Sequence, residues 1–248
     1  MFLKPLGDSA WLVEFPGKFG QDALMQVMGM VAELAKNRPA GVRDVVPSFN
    51  TLAVHFSGRN GLEIREWIEA VKVTDHFPEG REIQIPVCYG GEFGPDLETV
   101  AHETHMSKEE VIALHSGGIY TVAAIGFSPG FPYLLGLPEK LHLPRRKTPR
   151  LGVPAGSVAI AGQQAGIYPF SSPGGWHVLG RTDISLFDPQ ATPPALLKSG
   201  DRLRFIPVGK CGAVEKISTK ETAGSERWID VIQPGALTTV QDLGRPGY

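Results

Sequence analysis

Residues 153–187, VPAGSVAIAGQQAGIYPFSSPGGWHVLGRTDISLF, decide the fold class of the larger part of the chain. Short apolar runs alternate here with Gly- and Pro-rich turns, a pattern typical of an antiparallel barrel or sandwich. The same pattern continues on both sides of this segment. It predicts strands at 119–125, 157–161, 176–179, 184–187 and 203–208.

The first 80 residues have a different periodicity. Alternating apolar residues predict strands near 11–15 and 83–87, and two further strands are predicted at 42–47 and 51–56, on either side of residues 48–50. Apolar stripes at helical spacing predict helices over 24–34 and 62–71. The order β-α-β-β-α-β is that of a ferredoxin-like unit, although the last strand could instead belong to the next domain. The predicted fold is therefore α+β, with a small α/β domain preceding a β-rich one.

The composition changes after the first domain and again near residue 211. Two helices are predicted between the domains' strands, one over 95–105 and one opened by the capping box Ser107–Glu110. The polar residues 211–227 are interpreted as a linker. The predicted domains are a small α+β domain (1–80), a β-rich domain that is a barrel or a sandwich (81–210), the linker (211–227) and the start of another domain (228–248).

Charge and hydropathy exclude some classes of function. The 248 residues have a formal net charge of -2, whereas nucleic-acid binders usually carry a basic excess. No run approaches about 18 apolar residues, so no membrane span is predicted. The first residues become polar too quickly for a signal peptide, and we therefore expect a cytoplasmic protein.

The segment 144–150, PRRKTPR, places four cations within six residues. A solvated basic loop is one interpretation. The other is anion capture, since arginine forks match carboxylate and phosphate oxygens. The sequence predicts that Arg145, Arg146, Lys147 and Arg150 contribute to an anion site and leaves both interpretations open.

A formal G-x-S-x-G match occurs at 126–130, GFSPG. A hydrolase elbow would make Ser128 a nucleophile and would use the next backbone N–H in an oxyanion hole. That next residue is Pro129, which has no N–H. We therefore expect Ser128 and Gly130 to belong to a rigid loop that presents its backbone to a ligand.

Residues 163–182 combine glycines with several polar side chains. Glycine allows close approach of a ligand to the backbone, and glutamine offers both a donor and an acceptor. Structural turns alone would also explain the glycines. We interpret the cluster as a binding surface, with these candidate residues: Gln163, Gly174, Gly175, His177 and Arg181.

Metal and nucleotide motifs are not found in the sequence. His102, His105 and His115 do not form H-E-x-x-H, and we interpret them as exposed helix histidines, with no metal site predicted. No P-loop and no strand-bound G-x-G-x-x-G are found.

Several long, ordered phrases resemble the PxpB/KipI family, also called allophanate hydrolase subunit 1. The resemblance covers about residues 5–208. It is carried by the phrases at 7–10, 45–49, 88–97, 126–133, 144–150, 153–157, 166–169, 172–176 and 180–182.

The resemblance implies a small α/β domain followed by a cyclophilin-like β-barrel. It also implies the B subunit of an ATP-dependent 5-oxoprolinase, which with subunits A and C opens 5-oxoproline to glutamate. ATP, with Mg²⁺, would bind at a site that can be shared with another subunit. Two alternatives remain: the carboxyltransferase component of a urea or amide carboxylase, and a non-catalytic histidine-kinase inhibitor.

The last residues carry a second resemblance. The segment 232–248, IQPGALTTVQDLGRPGY, resembles the opening of the C subunit of 5-oxoprolinase, so a truncated fusion of the B and C subunits is expected.

A lactam hydrolase must neutralise phosphate and carboxylate charge. The sequence therefore predicts Arg146, Arg181 and Gln163 as catalytic residues. The substrate-binding residues predicted with them are Ser128, Gly130, Arg145, Lys147, Arg150, Gly174, Gly175 and His177.

Overall fold

The computed structural model describes residues 1–17, 20–58, 60–73 and 80–209. Its strands are β1 (Phe2–Pro5), β2 (Ala10–Glu14), β3 (Val42–Ser48), β4 (Thr51–Phe56), β5 (Glu82–Tyr89), β6 (Tyr120–Ile125), β7 (Pro132–Leu135), β8 (Arg150–Val153), β9 (Ser157–Ala161), β10 (Gln164–Ile167), β11 (Ser172–Gly174), β12 (His177–Arg181) and β13 (Arg202–Pro207). Its α-helices are α1 (Gln21–Lys36), α2 (Gly61–Glu69), α3 (Leu97–Glu103) and α4 (Lys108–Gly117), and a short 3₁₀ helix covers Glu139–Leu141.

The N-terminal part is an antiparallel sheet in the order β1-β2-β4-β3. The apolar stripe predicted from the sequence lies on α1 and packs on this sheet together with α2, through residues such as Val27, Leu34, Val54 and Ile64. The last strand of the predicted β-α-β-β-α-β order, β5, belongs to the barrel, as one of the two interpretations allowed. The N-terminal β1 pairs with β2 and completes the sheet instead.

The second part is a closed seven-stranded barrel in the order β10-β7-β6-β13-β5-β12-β9. Its pairs are antiparallel except β13 with β5, which run parallel. The predicted α+β class with a β-barrel is confirmed. One predicted strand is wrong: residues 184–187 form no strand, and Phe187 forms an isolated bridge to Ala195.

Side-chain alternation divides the barrel wall into two apolar faces. On β9, Val158 and Ile160 point into the barrel core, whereas Ala159 and Ala161 pack with an aromatic cluster outside it. The aromatic cluster comprises Phe131, Tyr133, Tyr168 and Trp176. The two-stranded ribbon β8–β11 contributes Val153 to the same cluster.

Helix α1 also contacts the barrel. Leu24 and Met28 pack against Ala123 and Leu135 on β6 and β7, and the Gln21 amide donates a hydrogen bond to the Thr121 hydroxyl over 3.0 Å. The sheet and the barrel therefore share an apolar contact reinforced by one polar bond.

In the described parts of the chain, no helix is long and apolar enough to cross a membrane. The predicted linker (211–227) and the predicted start of a further domain (228–248) lie outside the described residues.

Candidate functional site

A cavity of about 410 Å³ lies outside the barrel, between the basic segment and the turn that joins β9 to β10. Its walls combine an arginine, two amide side chains and an indole. The lining residues are Pro144, Arg145, Ala161, Gly162, Gln163, Gln164 and Trp176. The structure thus brings together two residues predicted from distant segments, Arg145 and Gln163.

The four cations of the basic segment have different surroundings. The guanidinium groups of Arg146 and Arg150 both bind the carboxylate of Asp96, with 2.7 Å from Arg150 Nη1 to Asp96 Oδ2 and 2.8 Å from Nη2 to Oδ1. Asp96 is only 1% exposed and also accepts a hydrogen bond from the Val178 N–H over 2.7 Å. Arg146 and Arg150 are thus committed to an internal carboxylate, whereas Arg145 and Lys147 are exposed.

The Asp96 carboxylate is ionised despite its burial. Burial opposes the charge, but the hydrogen bonds from Arg150 and the Val178 N–H, with the charges of Arg150 and Arg146, hold the Asp96 pKa below its usual value. The Asp96 carboxylate therefore stays charged at neutral pH and holds the guanidinium groups of Arg146 and Arg150 in place.

The charge of Arg145 acts on two tyrosines of the aromatic cluster. Burial raises the pKa values of Tyr133 and Tyr168, and the Arg145 charge acts in the opposite direction on both. Within the cavity itself, a carboxylate would meet the guanidinium fork of Arg145, a favourable anion partner.

Backbone contacts hold the segment that carries Arg145. His177 on β12 donates a hydrogen bond from Nε2 to the Pro144 carbonyl oxygen over 2.9 Å. The Arg146 N–H donates to the Gly175 carbonyl oxygen over 2.8 Å. Two predicted site residues, His177 and Gly175, thus hold the basic segment in place.

Gly174 is required by the aromatic cluster. A Cβ added at Gly174 would lie 2.3 Å from the Tyr168 hydroxyl oxygen, which is too close for the two atoms to coexist without a shift. The absence of a side chain at 174 lets the β8–β11 ribbon approach the tyrosine.

The G-x-S-x-G segment forms a tight strand–turn–strand connection between β6 and β7. The Ser128 N–H donates to the Gly126 carbonyl over 2.7 Å, and the Phe131 N–H donates to the Ser128 carbonyl over 3.0 Å. Gly130 has a φ of +81°, and a Cβ there would lie 2.8 Å from Phe187 Cβ. The element that follows the serine is the strand β7, whereas a hydrolase elbow requires a helix there.

Arg181 lies away from the cavity. On β12, His177 is opposite Ile160 and Arg181 is opposite Ser157, so that the two ends of the strand are about 13 Å apart. The Arg181 guanidinium stacks over the Phe93 ring at 5.3 Å. The predicted catalytic residues Gln163, Arg146 and Arg181 therefore do not converge on one cavity.

Sequence reasoning missed the contributions of Asp96, Tyr133 and Tyr168 to the surroundings of this cavity. Each lies within a phrase of the family resemblance, which was the signal available. What could not be read is their proximity, because Asp96 is 50 residues from Arg146 along the chain.

The helix histidines differ from the expectation in one case. His102 and His105 are exposed, but His115 is fully buried, stacked on Phe205 at 4.6 Å and bonded to the Tyr89 hydroxyl over 2.7 Å. The interpretation of His115 as an exposed residue is wrong. Among the described residues, no group of three or more His, Cys, Asp or Glu side chains could hold a metal ion.

The cations of the basic segment do not suit a nucleoside triphosphate. A triphosphate needs several convergent cations or N–H donors, and two of the four cations here are bound to Asp96. Arg145 with Gln163 instead matches a small ligand that carries one carboxylate and an amide.

Comparisons with known proteins agree on one family. The family model "Carboxyltransferase domain, subdomain C and D" matches residues 1–197. The chain is 57% identical over 215 residues to the 5-oxoprolinase B subunit of Haemophilus influenzae, covering 84% of the chain and 99% of that protein. It is 40% identical over 227 residues to the 5-oxoprolinase B subunit of Bacillus subtilis, covering 84% and 93%.

A solved structure shares this fold. The crystal structure of TTHA0988 matches with a TM-score of 0.72 and 35% identity, covering 81% of the chain. The chain spans 40% of the length of TTHA0988. By the family model and by its curated relatives, the chain belongs to the carboxyltransferase domain, subdomain C and D, family, together with the B subunits of 5-oxoprolinase.

Proposed function

We propose that the chain is the B subunit of an ATP-dependent 5-oxoprolinase, which opens 5-oxoproline to glutamate with subunits A and C. The observation that carries this proposal is the 57% identity to a relative of that name, over 99% of the relative's length. The hydrolase activity is proposed for the complex and not for this chain alone. We infer a cytoplasmic location, where ATP is available.

The cavity supports a defined role for this chain. 5-Oxoproline carries one carboxylate and one lactam amide on a small ring. Arg145 would pair with the carboxylate, Gln163 would exchange hydrogen bonds with the lactam, and the Trp176 indole would cover the ring. The chain would thereby bind and orient the lactam, which contributes to rate by positioning.

Activation of the lactam carbonyl is assigned to ATP. A lactam is a stable amide, and transfer of a phosphoryl group to its oxygen would make the carbon a better target for water. Because Arg146 and Arg150 are bound to Asp96, we place ATP and Mg²⁺ at a site shared with, or located on, another subunit.

The test is reconstitution with purified subunits A and C, measured as ATP-dependent release of glutamate from 5-oxoproline. Turnover should require this chain. Arg145→Gln should raise KM by about 10- to 100-fold, the effect of losing one hydrogen-bonded charge. The control Lys140→Gln, at an exposed lysine outside the cavity, should change KM by less than about twofold.

An assembled complex without turnover would contradict the proposal. The same assembly would then be assayed for biotin-dependent carboxyl transfer, the reaction suggested by the family's description. A histidine-kinase inhibitor would instead bind a kinase, and Arg145→Gln would leave catalysis by the complex unchanged.

A further inference from the structure

Asp96 is a buried carboxylate with three hydrogen-bonding partners from two separate segments. It binds Arg146 and Arg150 of the basic segment and the Val178 N–H of β12. The Asp96 N–H in turn donates to the Val178 carbonyl over 3.1 Å. Two hydrogen bonds thus join Asp96 to the barrel wall, and its carboxylate is fixed relative to the cavity.

The residues on either side of Arg145 are both anchored. Pro144 is held by His177 through its carbonyl oxygen. Arg146 is held by its N–H on the Gly175 carbonyl and by its guanidinium on Asp96. Arg145 is exposed between these two anchors and lines the cavity.

We propose that Asp96 is a positioning residue that clamps the basic segment, so that Arg145 faces the cavity. The clamp engages the guanidinium groups of Arg146 and Arg150 and leaves Arg145 to meet the ligand. The proposal depends on the proposed function only for the identity of that ligand.

A purely structural role is a weaker explanation for this arrangement. Replacing a buried ion pair by apolar side chains of the same size is often neutral or stabilising, because burying the charges costs desolvation free energy. Asp96 removes two arginines from a segment whose other cations are exposed. In this arrangement Asp96 determines which of the neighbouring cations remains available to a ligand.

The experiment uses Tyr133 as a reporter, since the Arg145 charge lowers the Tyr133 pKa. Fluorotyrosine is placed at position 133 so that its ionisation falls at lower pH, and its titration is followed by fluorine NMR in the folded chain. Asp96→Asn keeps an oxygen for the Val178 N–H but loses the charge. Asp96→Asn should raise the pKa of the reporter, as Arg145→Gln does.

Two variants complete the design. In the Arg145→Gln background, Asp96→Asn should produce no further shift in the pKa of the reporter. This result would show that Asp96→Asn acts on the reporter through the position of Arg145 and not through a general change in the fold. Arg146→Gln removes one anchor with less risk to folding and should shift the reporter in the same direction by a smaller amount.

The matched control is Asp201→Asn. Asp201 is a second fully buried carboxylate, bound to Arg81 at 2.5 Å and to the Lys198 N–H at 3.0 Å, outside the cavity lining. It should lower stability as Asp96→Asn does, without shifting the Tyr133 reporter.

An unchanged reporter in folded Asp96→Asn, or an equal shift in Asp201→Asn, would overturn the proposal. The reconstituted complex supplies a separate result. Asp96→Asn should raise KM for 5-oxoproline by about tenfold, the effect of about 1.4 kcal/mol, with a smaller change in kcat. A shifted reporter with an unchanged KM would support the clamp and contradict the substrate assignment of Arg145.

Discussion

His177 donates a hydrogen bond from Nε2 to the carbonyl oxygen of Pro144 over 2.9 Å. Because a carbonyl oxygen can only accept, the proton must lie on Nε2 in the neutral ring. The imidazole of β12 is thereby joined to the residue directly before Arg145, so a change at His177 should reach the cavity.

His177→Phe should weaken ligand binding through Arg145. The ring volume is retained, the hydrogen bond is lost, and the free energy of unfolding should fall by about 1 kcal/mol. Urea denaturation measures the stability, and KM for 5-oxoproline in the reconstituted complex, expected to rise severalfold, measures the site. His102→Gln, at an exposed position of α3, should change neither quantity. An unchanged KM in His177→Phe would contradict the prediction.

Arg145→Lys separates charge from geometry at the cavity. Lysine keeps the positive charge but lacks the planar fork that pairs two carboxylate oxygens. We expect KM to rise by about tenfold, less than for Arg145→Gln. Initial rates at varied 5-oxoproline concentration measure the effect. Equal values for the lysine and glutamine variants would show that charge alone is insufficient.

Gly166→Ala should destabilise the aromatic cluster. The new Cβ would lie 2.8 Å from Phe131 Cζ and 3.0 Å from Trp176 Cζ3. Overpacking of this kind costs about 1–3 kcal/mol, measurable as a lower urea midpoint. The matched control is Gly152→Ala on β8, where the nearest neighbour of a Cβ is Ser171 Oγ at 4.0 Å; a similar loss there would refute the steric explanation.

His115 should make folding stability sensitive to acid. Burial lowers its pKa from the ordinary value of 6.5 to about 3. Between these two pH values the unfolded chain binds a proton at His115 and the folded chain does not. The stabilisation that depends on neutral His115 is therefore complete above pH 6.5. It is lost as pH falls from 6.5 towards 3, with a slope of up to about 1.4 kcal/mol per pH unit.

The measurement is chemical denaturation at a series of pH values in that window. His115→Gln keeps a polar side chain near Tyr89 but has no titration there, so its stability should be lower at neutral pH and should fall less steeply. His102→Gln, which changes an exposed histidine, should retain the full slope. A wild-type slope in His115→Gln would assign the acid sensitivity elsewhere.

Local signals in the sequence predicted much of the fold. The capping box at Ser107 forms as expected, with the Glu110 N–H donating to Ser107 Oγ and the Ser107 N–H donating to the Glu110 carboxylate. The apolar stripe of α1 and the strand at β4 are also confirmed. These features depend on residues within a few positions of one another, which is why one sequence suffices to predict them.

Tertiary contacts decided what the candidate site contains. Periodicity, caps and composition are local properties, and they suffice to predict an α+β chain with a Gly/Pro-rich barrel or sandwich and a cluster of four cations. They do not reveal which cation is available, since Asp96 lies 50 residues from Arg146 and 54 from Arg150. Closure of the barrel brings Asp96, β12 and the basic segment together, and burial then pairs two arginines and leaves Arg145 beside the cavity.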